Sequence, residues 1–114
     1  MTDCLFCRIA AREIPSAVVY EDQELFAFRD IAPQMPTHIL IVPKVHLEGL
    51  DSLTEEHAAL VGRIPVVAAK LARELGLAER GYRLVVNWGP DAGQTVFHLH
   101  AHLLGGGPMK GTMA

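Results

Sequence analysis

Val96-Phe97-His98-Leu99-His100-Ala101-His102-Leu103-Leu104 is the stretch that decides how this chain is read. Side chains of a β-strand alternate between faces. Val96, His98, His100, His102 and Leu104 therefore point one way, and Phe97, Leu99, Ala101 and Leu103 the other. The second set is wholly apolar and suits a face laid against a helix. The first carries three imidazoles in a row. At about 3.3 Å of rise per residue, adjacent histidines on that face stand roughly 6.5 Å apart and the outer two roughly 13 Å. Two neighbours can share an ion through Zn–N bonds of about 2.0–2.1 Å, but three spread over that length suit a division of tasks. The ordinary alternative is a row of solvated surface histidines. Histidine has no strand preference that would produce such a register.

Working outward, a Gly-rich loop, Gly89-Pro-Asp-Ala-Gly-Gln-Thr95, precedes this strand, and Tyr82–Asn87 reads as another. Before them lies the main helix, from about Ser52 or Thr54 to Leu75. Leu60, Ile64, Val67, Leu71 and Leu75 recur at helical spacing on one face. Ser52 with Glu55 forms a capping-box pattern, Pro65 predicts a kink or a late start, and Gly76 suits the residue after the helix. His38-Ile-Leu-Ile-Val-Pro43 is apolar and β-branched, a central strand. It follows a Pro-rich loop, Asp30–Thr37. Val18–Glu21 and Leu25–Arg29 are short strands around a polar turn, and a short helix spans Cys4 to Arg12. The order predicts an α+β fold: a mainly antiparallel sheet with one long helix, a short N-terminal helix, and helical cover on one face.

Composition agrees. A length of 114 residues fits one domain and is too short for a barrel enzyme of roughly 250. A chain of this size buries roughly two thirds of its unfolded surface, enough for a core without disulfides. Half the residues are hydrophobic and the net charge is −3, which excludes disorder and argues against a nucleic-acid or anionic-membrane surface. No apolar run reaches the roughly 18 residues of a membrane span. The N-terminal residues do not have the form of a secretory signal, so a cytoplasmic protein is expected. The Cys4-Leu-Phe-Cys7 spacing then reads as metal or redox chemistry, or as two small buried thiols. His57, beside Glu55 and Glu56, reads as solvated.

His98-Leu-His-Ala-His-Leu-Leu104 resembles the His-X-His-X-His-X-X signature of the histidine triad (HIT) family. Asp30-Ile-Ala-Pro-Gln-Met-Pro-Thr-His-Ile-Leu-Ile-Val-Pro-Lys44 and Asn87–Thr95 resemble its nucleoside phosphoramidase (Hint) branch, and the similarity runs from Cys4 to about Gly106. The resemblance implies a single HIT domain over residues 1–114, with 105–114 as a flexible tail. It also implies hydrolysis at the α-phosphorus of a purine nucleoside 5′-phosphoramidate. His100 matches the nucleophile that would form a nucleotidyl-histidine, with its other ring nitrogen donating to a nearby acceptor. A neutral imidazole is a competent nucleophile near pH 7. His102 matches a phosphate partner. Thr95 and the backbone of Gly93 and Gln94 match phosphate donors, and Asn87 a residue lining the site. His38 matches a fourth histidine, a proton relay or leaving-group partner. Taken alone it would be a structural residue.

By the same resemblance Asp30 accepts from ribose hydroxyls, and Ile31, Phe6, Ile9, Ile14, Phe28 and Leu40 wall an apolar base slot. Without the resemblance these would be core residues and a turn aspartate. Cys4, Cys7, His46 and His98 could form a Cys₂His₂ zinc site that is structural, leaving no cofactor needed for the chemistry. A homodimer through the main helix and the Tyr82–Asn87 strand is implied. The tail lacks the aromatic common in that branch, and Trp88 is an interface or pocket-rim residue. The alternatives are a dinucleoside polyphosphate hydrolase of the same family and a non-catalytic nucleotide-binding dimer. A cupin-like metalloenzyme would need a further carboxylate and histidine beyond His102, and the sequence has neither there.

Overall fold

A computed structural model describes residues 4–110. The chain runs α1 (Leu5–Ala10), β1 (Val18–Glu21), β2 (Leu25–Arg29), β3 (Thr37–Pro43), α2 (Ala58–Glu74), β4 (Tyr82–Val85) and β5 (Ala101–Gly105). The strands form one sheet of order β1-β2-β3-β5-β4, antiparallel at every pairing. This is the predicted α+β architecture.

Strand alternation builds two cores. Leu25, Ala27, Ile39, Ile41, Ala101 and Leu103 face α2, where they meet Ile64, Val67, Ala68 and Leu71. Phe26, Phe28, Leu40 and Val42 face the other way and pack with Phe6 and Ile9 of α1. Helical cover therefore lies on both faces, not on one. The α1 helix is too short to show a periodicity, yet its two buried apolar side chains are enough to close the second layer. An Arg63 guanidinium on α2 pairs with Asp22 and Glu24, tying the helix to the β1–β2 turn.

The histidine strand is shorter than its alternation suggests. The ladder begins at Ala101, opposite Ile41. Beyond Ile41 the partner strand reaches Pro43, which has no N–H to donate and whose carbonyl lies 2.7 Å from the His98 ring. Residues 96–100 continue without a ladder, held by Leu99 N–H on the Leu47 carbonyl at 2.6 Å. Leu99 still faces the α2 core, but Phe97 turns out and lies 44% exposed, edge-on to Trp88. At its other end β5 takes in Gly105, one residue into the expected tail. Residues 111–114 of that tail lie outside the described residues.

The α2 helix starts later than its pattern suggests. The Ser52–Glu55 box does not form. Ser52 bonds back to Gly49 instead, and two short 3₁₀ turns lead into Ala58. His57 is half-buried and accepts from Thr54 N–H, so it closes the turn before the helix and is not freely solvated. Pro65 lies within the helix on an exposed position, and Gly76 takes φ +76° after it as anticipated. Leu75 caps the helix and is exposed.

Candidate active site

The α1 face of the sheet carries His38 and Leu40 on β3 beside His102 and Leu104 on β5, because Leu40 pairs with His102 and His38 with Leu104. His100 continues this row, with its ring centroid 5.0 Å from that of His102. A cavity of about 290 Å³ opens here. Phe6, Ile9, Ile14, Phe28 and Leu40 form apolar wall, and Ser16, Arg29, Asp30, Thr95, His100 and His102 bring polar groups to the lining. Of the six apolar positions expected in the base slot, all but Ile31 are buried or half-buried. Ile31 reaches the mouth of the cavity but is 99% exposed, a rim residue rather than a wall. The cause is local: Asp30 accepts from Ala32 N–H at 2.7 Å, which turns the loop outward. Asp30 and His102 also border a second hollow, with His38, Gln34 and Asn87.

Hydrogen bonds fix where each imidazole proton sits. His100 Nδ1 is 2.7 Å from the His98 carbonyl, which can only accept. Nδ1 therefore carries the proton and Nε2 keeps a lone pair. His38 Nδ1 accepts from Gln34 N–H at 3.0 Å, so its proton is on Nε2, 2.9 Å from His102 Nδ1. Burial lowers the pKa of His38, opposed by Asp30, whose Oδ2 lies 3.5 Å away. Burial, reinforced by the neighbouring His100 and His38, pushes His102 down to about 4. Both rings are thus neutral at physiological pH.

The loop before the triad differs from expectation. Gly93 N–H donates to the Pro90 carbonyl and Gln94 N–H to the Gly89 carbonyl, both at 3.0 Å, so neither amide is available to a phosphate. The Gln94 side chain is buried. It accepts from Gly89 N–H and donates to the carbonyls of Glu48 and Val96, bracing the loop instead of lining the cavity. Trp88 lies over Gly49, where a Cβ would stand 2.4 Å from the indole. Neither Trp88 nor Phe97 lines the cavity. Only Thr95 of this loop reaches it beside the histidines.

A second cluster lies behind Phe6. Cys4 and Cys7 of α1 meet His46 and His98, with every donor atom within 4.8 Å of the others. The separations are 3.2 Å for Cys4 Sγ–His98 Nδ1, 3.3 Å for Cys7 Sγ–His46 Nδ1, 3.4 Å for Cys7 Sγ–His98 Nδ1 and 3.2 Å for the two Nδ1 atoms. Tetrahedral zinc with bonds of about 2.0–2.3 Å has edges of about 3.3–3.8 Å. His98 Nε2 donates to the Pro43 carbonyl, which frees Nδ1 as a ligand. Donor set and geometry both fit such an ion.

Comparison with known proteins accords with this arrangement. The HIT domain family model matches residues 11–109. The chain belongs to the HIT family. It is 47% identical to a purine nucleoside phosphoramidase of Escherichia coli K12 over 112 residues, covering 98% of this chain and 94% of that one. Among solved structures, a HIT family hydrolase from Legionella pneumophila superposes with TM-score 0.95 at 48% identity, covering 98% of this HIT chain and all of the other. A HIT family hydrolase from Clostridium thermocellum gives TM-score 0.95 at 46% identity, over 100% and 99%.

Proposed function

We propose that this HIT protein is a hydrolase of purine nucleoside 5′-phosphoramidates, acting as one domain over residues 1–114 through a nucleotidyl-histidine. The observation that carries this is the His100 Nε2 lone pair beside an apolar cavity bordered by Asp30, Thr95 and His102. The name of the E. coli relative supports the substrate class.

The base occupies the slot walled by Phe6, Ile9, Ile14, Phe28 and Leu40, with Ile31 at its mouth, and the ribose hydroxyls donate to Asp30. His100 Nε2 attacks the α-phosphorus and the P–N bond breaks. The amine leaves with a proton from solvent. His102 Nε2–H and Thr95 donate to the phosphoryl oxygens as charge develops. Water then attacks phosphorus, releasing the nucleoside monophosphate and restoring His100. Asn87 borders His102 from the second hollow.

Cys4, Cys7, His46 and His98 would hold a structural zinc. A zinc held by these four side chains would pin α1 to the sheet, and its part would be structural. Phe6, on that helix, lies edge-on to the rings of both His98 and His100. A homodimer is supported by Val66, 67% exposed on α2, and by β4, which ends the sheet. A reducing, cytoplasmic setting suits the two thiolates. Among the described residues no helix is long and apolar enough to cross a membrane.

The test is release of AMP from adenosine 5′-phosphoramidate. Turnover by the wild type and none by His100→Ala is expected. Tight nucleotide binding without turnover in either would make the protein a binding module.

A further inference from the structure

We propose that the main-chain N–H of Gln34 is a positioning group for the reaction: by donating to His38 Nδ1 it sets the tautomers of both His38 and His102. The claim about His38 stands on geometry alone. The claim that His102 thereby presents a proton to phosphate rests on the function proposed above.

A neutral imidazole carries one N–H. An amide N–H can only donate, so the nitrogen it meets has to be a lone pair. Gln34 N–H meets His38 Nδ1 at 3.0 Å, and His38 is 5% exposed. The single proton of His38 is therefore on Nε2, 2.9 Å from His102 Nδ1. That nitrogen accepts, which leaves the His102 proton on Nε2. The reverse arrangement would orphan the Gln34 amide and turn a His102 lone pair toward the anionic oxygens. Charging His38 would set an Nδ1–H against the amide N–H.

The loop is suited to hold this donor. Gln34 lies between Pro33 and Pro36, which have no N–H and fixed φ. The loop is anchored by Asp30 N–H on the His38 carbonyl at 3.0 Å. The same geometry alters the expected role of His38. A proton relay needs a group beyond Nδ1 that can exchange a proton, and the Gln34 amide there neither takes one up nor releases its own. His38 is a fixed donor to His102 instead.

Two measurements test this. Long-range ¹H–¹⁵N correlation spectra of the metal-loaded, substrate-free protein, labelled at histidine, report which ring nitrogen is protonated. The expected result is Nε2–H alone for both His38 and His102. An Nδ1–H form of His38 would overturn the proposal whether or not the protein turns over phosphoramidates. Gln34→Pro removes the donor and should lower kcat about 10- to 100-fold with a smaller change in KM. In a His38→Gln background the side-chain amide supplies its own N–H and has no tautomer to set. There the added Gln34→Pro change should cost little. An equal loss in both backgrounds would assign the effect to the shape of the loop and overturn the proposal.

Discussion

His98 and His38 lie at similar depth in the same protein, 0% and 5% exposed, yet their rings are held in opposite senses. The far nitrogen of His98 meets the carbonyl of Pro43. Its other nitrogen is left as a lone pair among two sulfurs and a second imidazole. The far nitrogen of His38 meets the N–H of Gln34, and its other nitrogen is left as a donor toward His102. Asp30, His38 and His102 also bring three ligand-type atoms together, so residue type alone would allow a metal in either cluster. The backbone group on the far nitrogen decides which cluster suits a cation and which presents protons.

The largest expected effect comes from removing His100, whose ring lies beside His102 of the Asp30, His38 and His102 cluster. His100→Ala should lower turnover on the order of 10⁴-fold or more, with metal content unchanged by elemental analysis. Breaking the other cluster should act differently. Cys7→Ser should release the metal and lower the thermal midpoint. It should raise KM roughly tenfold as Phe6 and Ile9 loosen, the equivalent of about 1.4 kcal/mol of lost contact, with kcat largely kept. Steady-state kinetics on the folded variant would separate the two. Loss of kcat as complete as in His100→Ala would erase the distinction between the clusters.

A subtler edit should convert one cluster toward the other. Without the Gln34 amide, His38 can carry its proton on Nδ1 and offer Nε2 to a cation. Gln34→Pro should then be inhibited by added Zn²⁺ at concentrations about tenfold below those that affect the wild type. Equal sensitivity would argue against the far-nitrogen rule.

The smallest effect is on acid stability. The folded pKa of His102, about 4, lies below its ordinary 6.5. Its contribution is present above pH 6.5 and is lost as pH falls toward 4, because the unfolded chain takes up a proton that the folded chain refuses. His102→Gln should therefore show a shallower fall in urea midpoint between about pH 7 and about pH 5, at equal metal loading.

Much of this was legible in the sequence. Period-two alternation located β5, the apolar β-branched run His38–Pro43 located β3, the polar turn after Glu21 marked β1 and β2, and apolar residues from Leu60 to Leu71 located α2. The histidine row and the Cys4–Cys7 pair marked the two clusters. What the sequence hid was mostly main chain. Every residue has a carbonyl and every non-proline an N–H, so nothing in the letters assigns Pro43 to His98, the His98 carbonyl to His100, or Gln34 to His38. The same limit explains Gly93 and Gln94, whose amides are used within their own turn. Pro43 was a readable stop signal for the ladder, but reading it required the β3–β5 register. Ile31 was expected in the wall only through the family resemblance, and the Asp30 turn sends it to the rim.

The central claim is that His100 Nε2 forms a bond to phosphorus. Rapid acid or denaturant quench of the protein mixed with adenosine 5′-phosphoramidate, followed by peptide mass spectrometry, tests it most directly. The account predicts a transient adenylyl group on His100, absent in His100→Ala. Full turnover with no adduct at any quench time, or an adduct on His102, would contradict it.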